Sequence, residues 1–460
     1  MTTDQANDSP ANTTGPRAAL ISRLTTPRRL MLAVIVVFCI TLGAQIRAVW
    51  LHEGAFYAGG EVPLGGDLLA FYSAGLIVAE GDGEHLYDLD RQIAAQKQAI
   101  GDSGFDGLLP FAYPAFVAAP YALLARLPLI PAYLVVTPLM LAAVVAAVAL
   151  LRPVSPTVRA RPVLVTLAAL ASQPLAAATL GGQTVGFSLL CCAGTYAALR
   201  RDRAVTAGVW LGLLLYKPPL AVPLLALLLC RRQWRTVAVA GAVGLALFLV
   251  GVAVAGVAWP WRFLDLAGGT FAEGDAAANG MNMISLLGVA EQVFGAGSSW
   301  AWGTAGVLGL GVLVVVIQAW RGARADGHTF PLLFGLVIAG VLLLSPHALF
   351  YEACLLILPI IALLDAWQAH GRQLAAWQRS ILTGAFALGF GWQFGALLGV
   401  QPVAVLPVAV AVLSWRALRQ PRNGASAHAE RILPRNQDFL GGITYPPRRE
   451  SAHDGHLGGD

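Results

Sequence analysis

The chain has 460 residues, of which 57% are hydrophobic and only 12% charged, with a mean hydropathy of +0.67. Soluble domains carry about 25% charged residues, so the composition excludes a soluble globule and defines an all-α polytopic integral membrane protein. The net charge of +5 does not imply nucleic acid, because all but four arginines (Arg47, Arg91, Arg126, Arg262) lie in the tails or in short connections between apolar runs. That bias is the positive-inside pattern, and it assigns those connections and both termini to the cytoplasm.

Residues 1–27 are polar and lack a signal-peptide layout, and the first span is predicted from about residue 30 to 50. Residues 51–108 form a long first extracytoplasmic loop with two short helices. The first, 67–80, is apolar and expected on the membrane surface. The second, 89–100, is wetter because of Gln92, Gln96, Lys97 and Gln98. In 109–127, Tyr113-Pro114 and Pro120 interrupt the helix pattern. Arg126 and the Arg152–Arg161 connection cannot both be cytoplasmic unless one neighbouring segment fails to cross, so 109–127 is expected to be short or re-entrant.

Spans follow at 130–151, 162–180 and 184–199. The next two apolar runs, 204–216 and 218–230, are each half a span long and meet at Tyr216-Lys217-Pro218-Pro219. Arginines flank both outer ends, which predicts a hairpin that turns back at depth. Proline after Lys217 ends the first arm. A span at 236–258 leads to Trp259-Pro260-Trp261 and a second extracytoplasmic loop, 259–299. Spans at 301–320, 329–345, 347–366, 380–398 and 402–416 complete a membrane domain covering 28–416, with 11 to 13 transmembrane or re-entrant helices. Tryptophans cluster at the span ends, as interfacial anchors do. Residues 417–460 read as a disordered tail. All five cysteines fall in apolar segments and read as packing residues.

Few residues can carry chemistry. Asp67, in Gly65-Gly66-Asp67, opens the apolar helix of the first loop and has the makings of a base, or of an N-cap. Lys217 is one of two lysines and lies in an apolar region, where a charge is costly and normally faces a polar cavity; snorkelling to a headgroup is the alternative. His347, in Ser345-Pro346-His347, is a cation at a span start or a hydrogen-bonded helix-start residue. Tyr351 and Glu352 follow, the latter a natural partner for a cation. Gln183 and Asn282 occupy turns and could be no more than turn residues. Asp88-Leu89-Asp90 has the spacing of a nucleotide-sugar metal site, but its position before a helix makes first-turn acids the better reading. No metal or cofactor is expected.

These residues occur in an order that resembles glycosyltransferase family 87. The resemblance rests on Gly66-Asp67, Phe71-Tyr72, Gly81, Leu86-Tyr87-Asp88, Tyr113-Pro114, Gly182-Gln183, Lys217-Pro218 before Arg231-Arg232-Gln233-Trp234-Arg235, and Ser345-Pro346-His347. It runs from about residue 30 to 416. One departure is Tyr113-Pro114-Ala115, where the family often has a second proline. The resemblance implies a GT-C membrane fold and sugar transfer, with mannose the best-known sugar, from a polyprenyl-phosphate donor. The acceptor would be a glycolipid or glycan, and transfer would occur with inversion on the extracytoplasmic face of a bacterial inner membrane. It implies Asp67 as catalytic base and Lys217 and His347 at the donor phosphate. Tyr72, Arg91, Tyr113, Gln183, Arg262, Asn282, Tyr351 and Glu352 are further substrate-binding candidates. The helix at 68–79 and the segment 109–127 would border a groove for the polyprenyl chain. Broken helices and a buried lysine also occur in transporters of lipid-linked or anionic solutes, although no internal repeat is visible.

Overall fold

The computed structural model describes residues 26–50, 65–101, 107–269, 279–322, 329–368 and 374–419; both tails and loop residues 51–64 and 270–278 lie outside them. Among the described residues the structure is helical, with one isolated antiparallel bridge between Met283 and Leu349. The chain is an all-α polytopic membrane protein.

Among the described residues, six helices are long and apolar enough to cross a bilayer: Leu129–Leu151, Trp234–Ala255, Ser299–Arg321, Phe350–Gln368, Trp377–Leu398 and Pro402–Arg419. The segment 162–180 is not one straight span. It is a pair, Pro162–Leu170 and Gln173–Leu180, bent by 53°. Pro174 sits in the first turn of the second helix, and Ser172 Oγ donates to the Ala169 carbonyl at 2.7 Å. This satisfies a carbonyl near the break.

The helices Val185–Leu199, Ala204–Tyr216, Pro218–Cys230 and Phe330–Leu344 are shorter. At about 1.5 Å per residue each falls short of a hydrocarbon core about 30 Å thick, so Val185–Leu199 and Phe330–Leu344 are shorter than the full spans expected at 184–199 and 329–345. Glycine contacts fix the direction of the hairpin. A Cβ at Gly208 would fall 2.6 Å from Val239 Cβ, one at Gly212 2.5 Å from Val243 Cβ, and one at Gly244 2.7 Å from Leu215. The residue numbers rise together, so Ala204–Tyr216 runs parallel to Trp234–Ala255, and Pro218–Cys230 must return to their common starting level. The hairpin expected from the arginine flanks is therefore formed. Lys217 sits near Gly244, roughly half-way along Trp234–Ala255 and about 15 Å from its first turn.

The parity conflict resolves in the same way. Residues 115–124 form only a 3₁₀ turn, Ala115–Val117, and a helix, Ala118–Leu124, about 15 Å together and too short to cross. Arg126 and Arg152 then lie at opposite ends of the crossing helix Leu129–Leu151.

Two expectations about the first loop are corrected. The helix Gly66–Ala79 does not lie on the membrane surface, since ten of its residues are buried. Its Gly75 packs against the Tyr121 backbone, where a Cβ would fall 2.4 Å from the carbonyl. An apolar helix with almost no hydrophobic asymmetry has no wet side to present, and it packs inside the protein. The helix Leu89–Ile100 is likewise not uniformly wet. Gln92 and Gln96, one turn apart, are buried. Gln92 Oε1 accepts from the Phe111 N–H at 2.8 Å, and the Gln96 amide brackets the Leu109 backbone at 2.6 and 3.1 Å. These bonds fix the extended approach to Tyr113.

Candidate active site

Several breaks in the helical pattern meet around one buried point: the start of Gly66–Ala79, the Leu180–Thr184 turn, the Tyr216–Lys217 kink, and the stretch from Ser345 to Glu352. Irregular backbone at membrane depth is tolerated only where it is buried in protein or lines a cavity.

Asp67 is held by a backbone clamp. The Gly65 N–H donates to the Leu180 carbonyl at 2.8 Å and the Asp67 N–H to the Gly181 carbonyl at 3.0 Å. First-turn amides that a helix cannot satisfy itself are thus satisfied from a neighbouring turn. The clamp needs glycine on both sides. Gly65 has φ +77° and Gly182 φ +64°, and a Cβ on Gly182 would fall 2.5 Å from Leu68 Cβ and 2.8 Å from the Gly65 carbonyl oxygen. Tyr133 closes the clamp, its ring against Gly65 and its O–H donating to the Thr179 carbonyl at 3.1 Å. The N-cap is Gly65 and not Asp67, which is the second residue of the helix. The carboxylate is therefore a first-turn acid near the positive end of the helix dipole.

Lys217 is fixed from the other side. It stands between the 3₁₀ turn Leu214–Tyr216 and the helix Pro218–Cys230, with its N–H on the Leu214 carbonyl at 2.9 Å. The Tyr216 O–H donates to the Thr184 carbonyl at 2.9 Å and shares a 2.6 Å hydrogen bond with Ser188 Oγ. Lys217 Nζ pairs directly with Glu352 Oε1, and the two side chains are only 12% and 4% exposed. Glu352 lies on the 3₁₀ helix Phe350–Leu356. A buried pair of this kind gains Coulomb energy but loses the hydration of both ions, so it is weak evidence for stability alone.

Tyr113 joins the halves. It lies within electrostatic reach of Lys217, Glu352 and Asp67. Its carbonyl accepts from Tyr87 O–H at 2.8 Å, and its ring centroid is 4.8 Å from that of Phe71. Tyr351 lies beside the buried Gln183 side chain and within electrostatic reach of Asp67, Tyr113 and Glu352.

The structure thus brings together Asp67, Tyr113, Gln183, Lys217, Tyr351 and Glu352. His347 lies four residues before Tyr351 on the same connection. Asn282 lies alongside, because Ile284 N–H donates to the Ala348 carbonyl at 2.8 Å and Met283 bridges Leu349. Gln292 and Gln401 hold that loop through its Gly280, Met281 and Met283 carbonyls. Thr184, Ser188 and Tyr216 belong to the same network and were missed in the sequence. Their only signal was adjacency: Thr184 follows Gln183 and precedes Ser188 by one turn, and Tyr216 precedes Lys217.

Three candidates are not brought there. Tyr72 is buried in the core, and its O–H donates to the Leu127 carbonyl at 2.8 Å. Arg91 pairs with Glu80 and Asp82, just beyond the end of the 14-residue helix Gly66–Ala79, about 20 Å from Asp67. Arg262 donates to the Glu84 carbonyl in the same outer cluster. There the Asp82 carboxyl is held below its ordinary value by hydrogen bonds from Arg91 and His85. Asp88 is the N-cap of Leu89–Ile100, accepting from Asp90 N–H at 3.0 Å. Among the described residues no group of three or more His, Cys, Asp or Glu is arranged to hold a metal ion.

A helical membrane protein with a carboxylate and a lysine converging in a buried polar site has the parts of a membrane-embedded transferase. The chain belongs to glycosyltransferase family 87, whose sequence profile matches residues 111–346, just over half its length. It is a membrane glycosyltransferase. The matched region contains Tyr113, Gln183 and Lys217, while Asp67, His347, Tyr351 and Glu352 lie outside it. Comparison with curated proteins and with solved structures gives no match.

Proposed function

We propose that the chain transfers a hexose, with mannose the first sugar to test, from a polyprenyl-phosphate donor to a glycolipid or glycan acceptor on the extracytoplasmic face of a bacterial inner membrane. The architecture would be GT-C-like and the transfer inverting and metal-independent. The observation that carries the reading is the convergence of Asp67 and Lys217 around Tyr113 in one buried site. The Asp88-Leu89-Asp90 motif opens a helix, with Asp88 as its N-cap.

In this reading the bond between the sugar's anomeric carbon and the phosphate oxygen breaks with oxocarbenium character. A bond to the acceptor oxygen forms on the opposite face. Asp67 takes the acceptor hydroxyl proton, as a carboxylate base does in inverting hydrolases. The departing lipid phosphate gains negative charge, which Lys217 and His347 stabilise most strongly in a water-poor site. Gln183, Tyr113, Tyr351 and Asn282 would position the sugars. Leu123 and Leu127 are exposed on the 115–127 segment and offer an apolar border for the polyprenyl chain.

The test is a proteoliposome assay that follows polyprenyl-phosphate-mannose consumption and solute uptake separately. Donor consumption with acceptor glycosylation and no uptake is expected. Uptake without transfer would favour a transporter of a lipid-linked or anionic solute.

A further inference from the structure

Glu352 poses a question that the transfer mechanism leaves open. If Lys217 holds the donor phosphate, its charge is already matched by a buried carboxylate, in contact and almost fully enclosed. A phosphodiester entering this site adds a negative charge to a pair that is neutral. Lys217 and Glu352 differ in how freely they can respond. Glu352 is carried by the buried 3₁₀ helix Phe350–Leu356, whose first residue, Phe350, stacks on Trp392 with ring centroids 4.6 Å apart. Lys217 has a four-carbon flexible stem and an ammonium with three donors that can turn to a new acceptor. The phenols of Tyr113 and Tyr216 and the Cys192 thiol also lie within electrostatic reach of the ammonium.

We infer that Glu352 is the exchange partner of Lys217: phosphate draws the ammonium away on donor binding, and Glu352 reclaims it to expel the product polyprenyl phosphate. The inference rests on the reading of Lys217 as the phosphate-holding cation. It adds a positioning residue that acts through Lys217 and sets the release step. No bond is made or broken by Glu352. It only competes for a cation, and the competition matters most after transfer, when the lipid phosphate has lost its sugar and carries more charge. A buried carboxylate facing that phosphate repels it, and low effective dielectric magnifies the repulsion.

A purely structural role for the pair, fastening the hairpin to Phe350–Gln368, predicts something different. Removing the carboxylate would then weaken the fold and leave ligand affinity unchanged or poorer. Exchange predicts that removing it tightens phosphate binding. The experiment measures polyprenyl-phosphate affinity, single-turnover transfer and steady-state turnover for wild type, Glu352→Gln, Glu352→Asp and the double variant Lys217→Met/Glu352→Gln. Glu352→Asp keeps the charge but retracts it by one methylene, so it serves if Glu352→Gln does not fold.

The expected order of affinity is Glu352→Gln tightest, then Glu352→Asp, then wild type, with the first gain about tenfold or more. Single-turnover transfer should hold while steady-state turnover falls through slow product release. The double variant should lose the gain, because the effect runs through Lys217. Unchanged or weaker binding in both Glu352 variants overturns the exchange. A gain that persists in the double variant overturns it too. If wild type and every variant fail to bind polyprenyl phosphate, the donor reading falls and the exchange with it.

Discussion

Two regions of the molecule pair acids with bases, and they behave as opposites. At the outer cluster, Arg91 meets Glu80 and Asp82 with side chains 20%, 39% and 36% exposed, and His85 bonds Asp82 at 2.6 Å. At the inner site, Lys217 meets Glu352 with 12% and 4% exposed. The chemistry of the partners is nearly the same. Exposed pairs are screened by water and salt and contribute about 0–1 kcal/mol. A buried pair is held by neighbours that must compensate its desolvation, so it becomes sensitive to every change around it. The outer cluster ties a loop at the surface; the inner pair is enclosed by the protein.

That contrast can be broken most severely at the inner pair. Lys217→Met leaves Glu352 buried without its cation, and a loss of about 3–5 kcal/mol is expected. Thermal unfolding in detergent would measure it, and the double variant with Glu352→Gln should recover much of the loss. Gly182→Ala comes next. Its Cβ has no room against Leu68 and Gly65, so Asp67 should shift and kcat fall about tenfold to a hundredfold with donor affinity intact. Gly81→Ala is the control, since Gly81 has φ +79° at the other end of the same helix but open space around it. It should cost backbone strain without cost to kcat.

Smaller effects follow. Tyr216→Phe removes the donor to the Thr184 carbonyl and should destabilise by about 1 kcal/mol, read as a shift in the unfolding midpoint. At the outer cluster, Arg91→Ala should cost less than about 1 kcal/mol, and the cost should shrink further in salt. The Asp82 carboxyl is depressed in the folded protein. Its contribution is therefore fully present above the unfolded aspartate pKa of about 3.9. It is lost as pH falls through the lower folded value, and Arg91→Ala should weaken that acid-side dependence, leaving the part that His85 supplies.

The contrast also explains what the sequence could reveal. Long apolar runs and arginine placement are local signals, so the six long spans, the hairpin at Lys217 and the non-crossing 109–127 segment were readable from them, whereas the bend within 162–180 and the short helices at 185–199 and 330–344 were not. Asp67, Gln183 and Lys217 stood out as polar residues at breaks between apolar runs, and the structure brings them around Tyr113 and Tyr351. The burial of Gly66–Ala79 was not readable, because an apolar helix looks the same to a membrane surface as to a protein interior. Gln92 and Gln96 misled for a related reason. Their amides read as wet until the Leu109 and Phe111 backbone arrives to satisfy them. Arg91 and Arg262 were drawn toward the site by charge alone, while the length of one helix separates them from it. The Lys217–Glu352 pairing joins positions 135 residues apart, a separation at which sequence carries no distance information.

The central claim is that Asp67 moves a proton while Lys217 holds the donor, at one site but in separable roles. Donor affinity and single-turnover transfer measured on the same purified preparations of wild type and Asp67→Asn test it most directly. The account predicts unchanged polyprenyl-phosphate-sugar affinity with transfer lowered about 10²- to 10⁴-fold, the range a positioned base contributes. Full transfer by Asp67→Asn would contradict it.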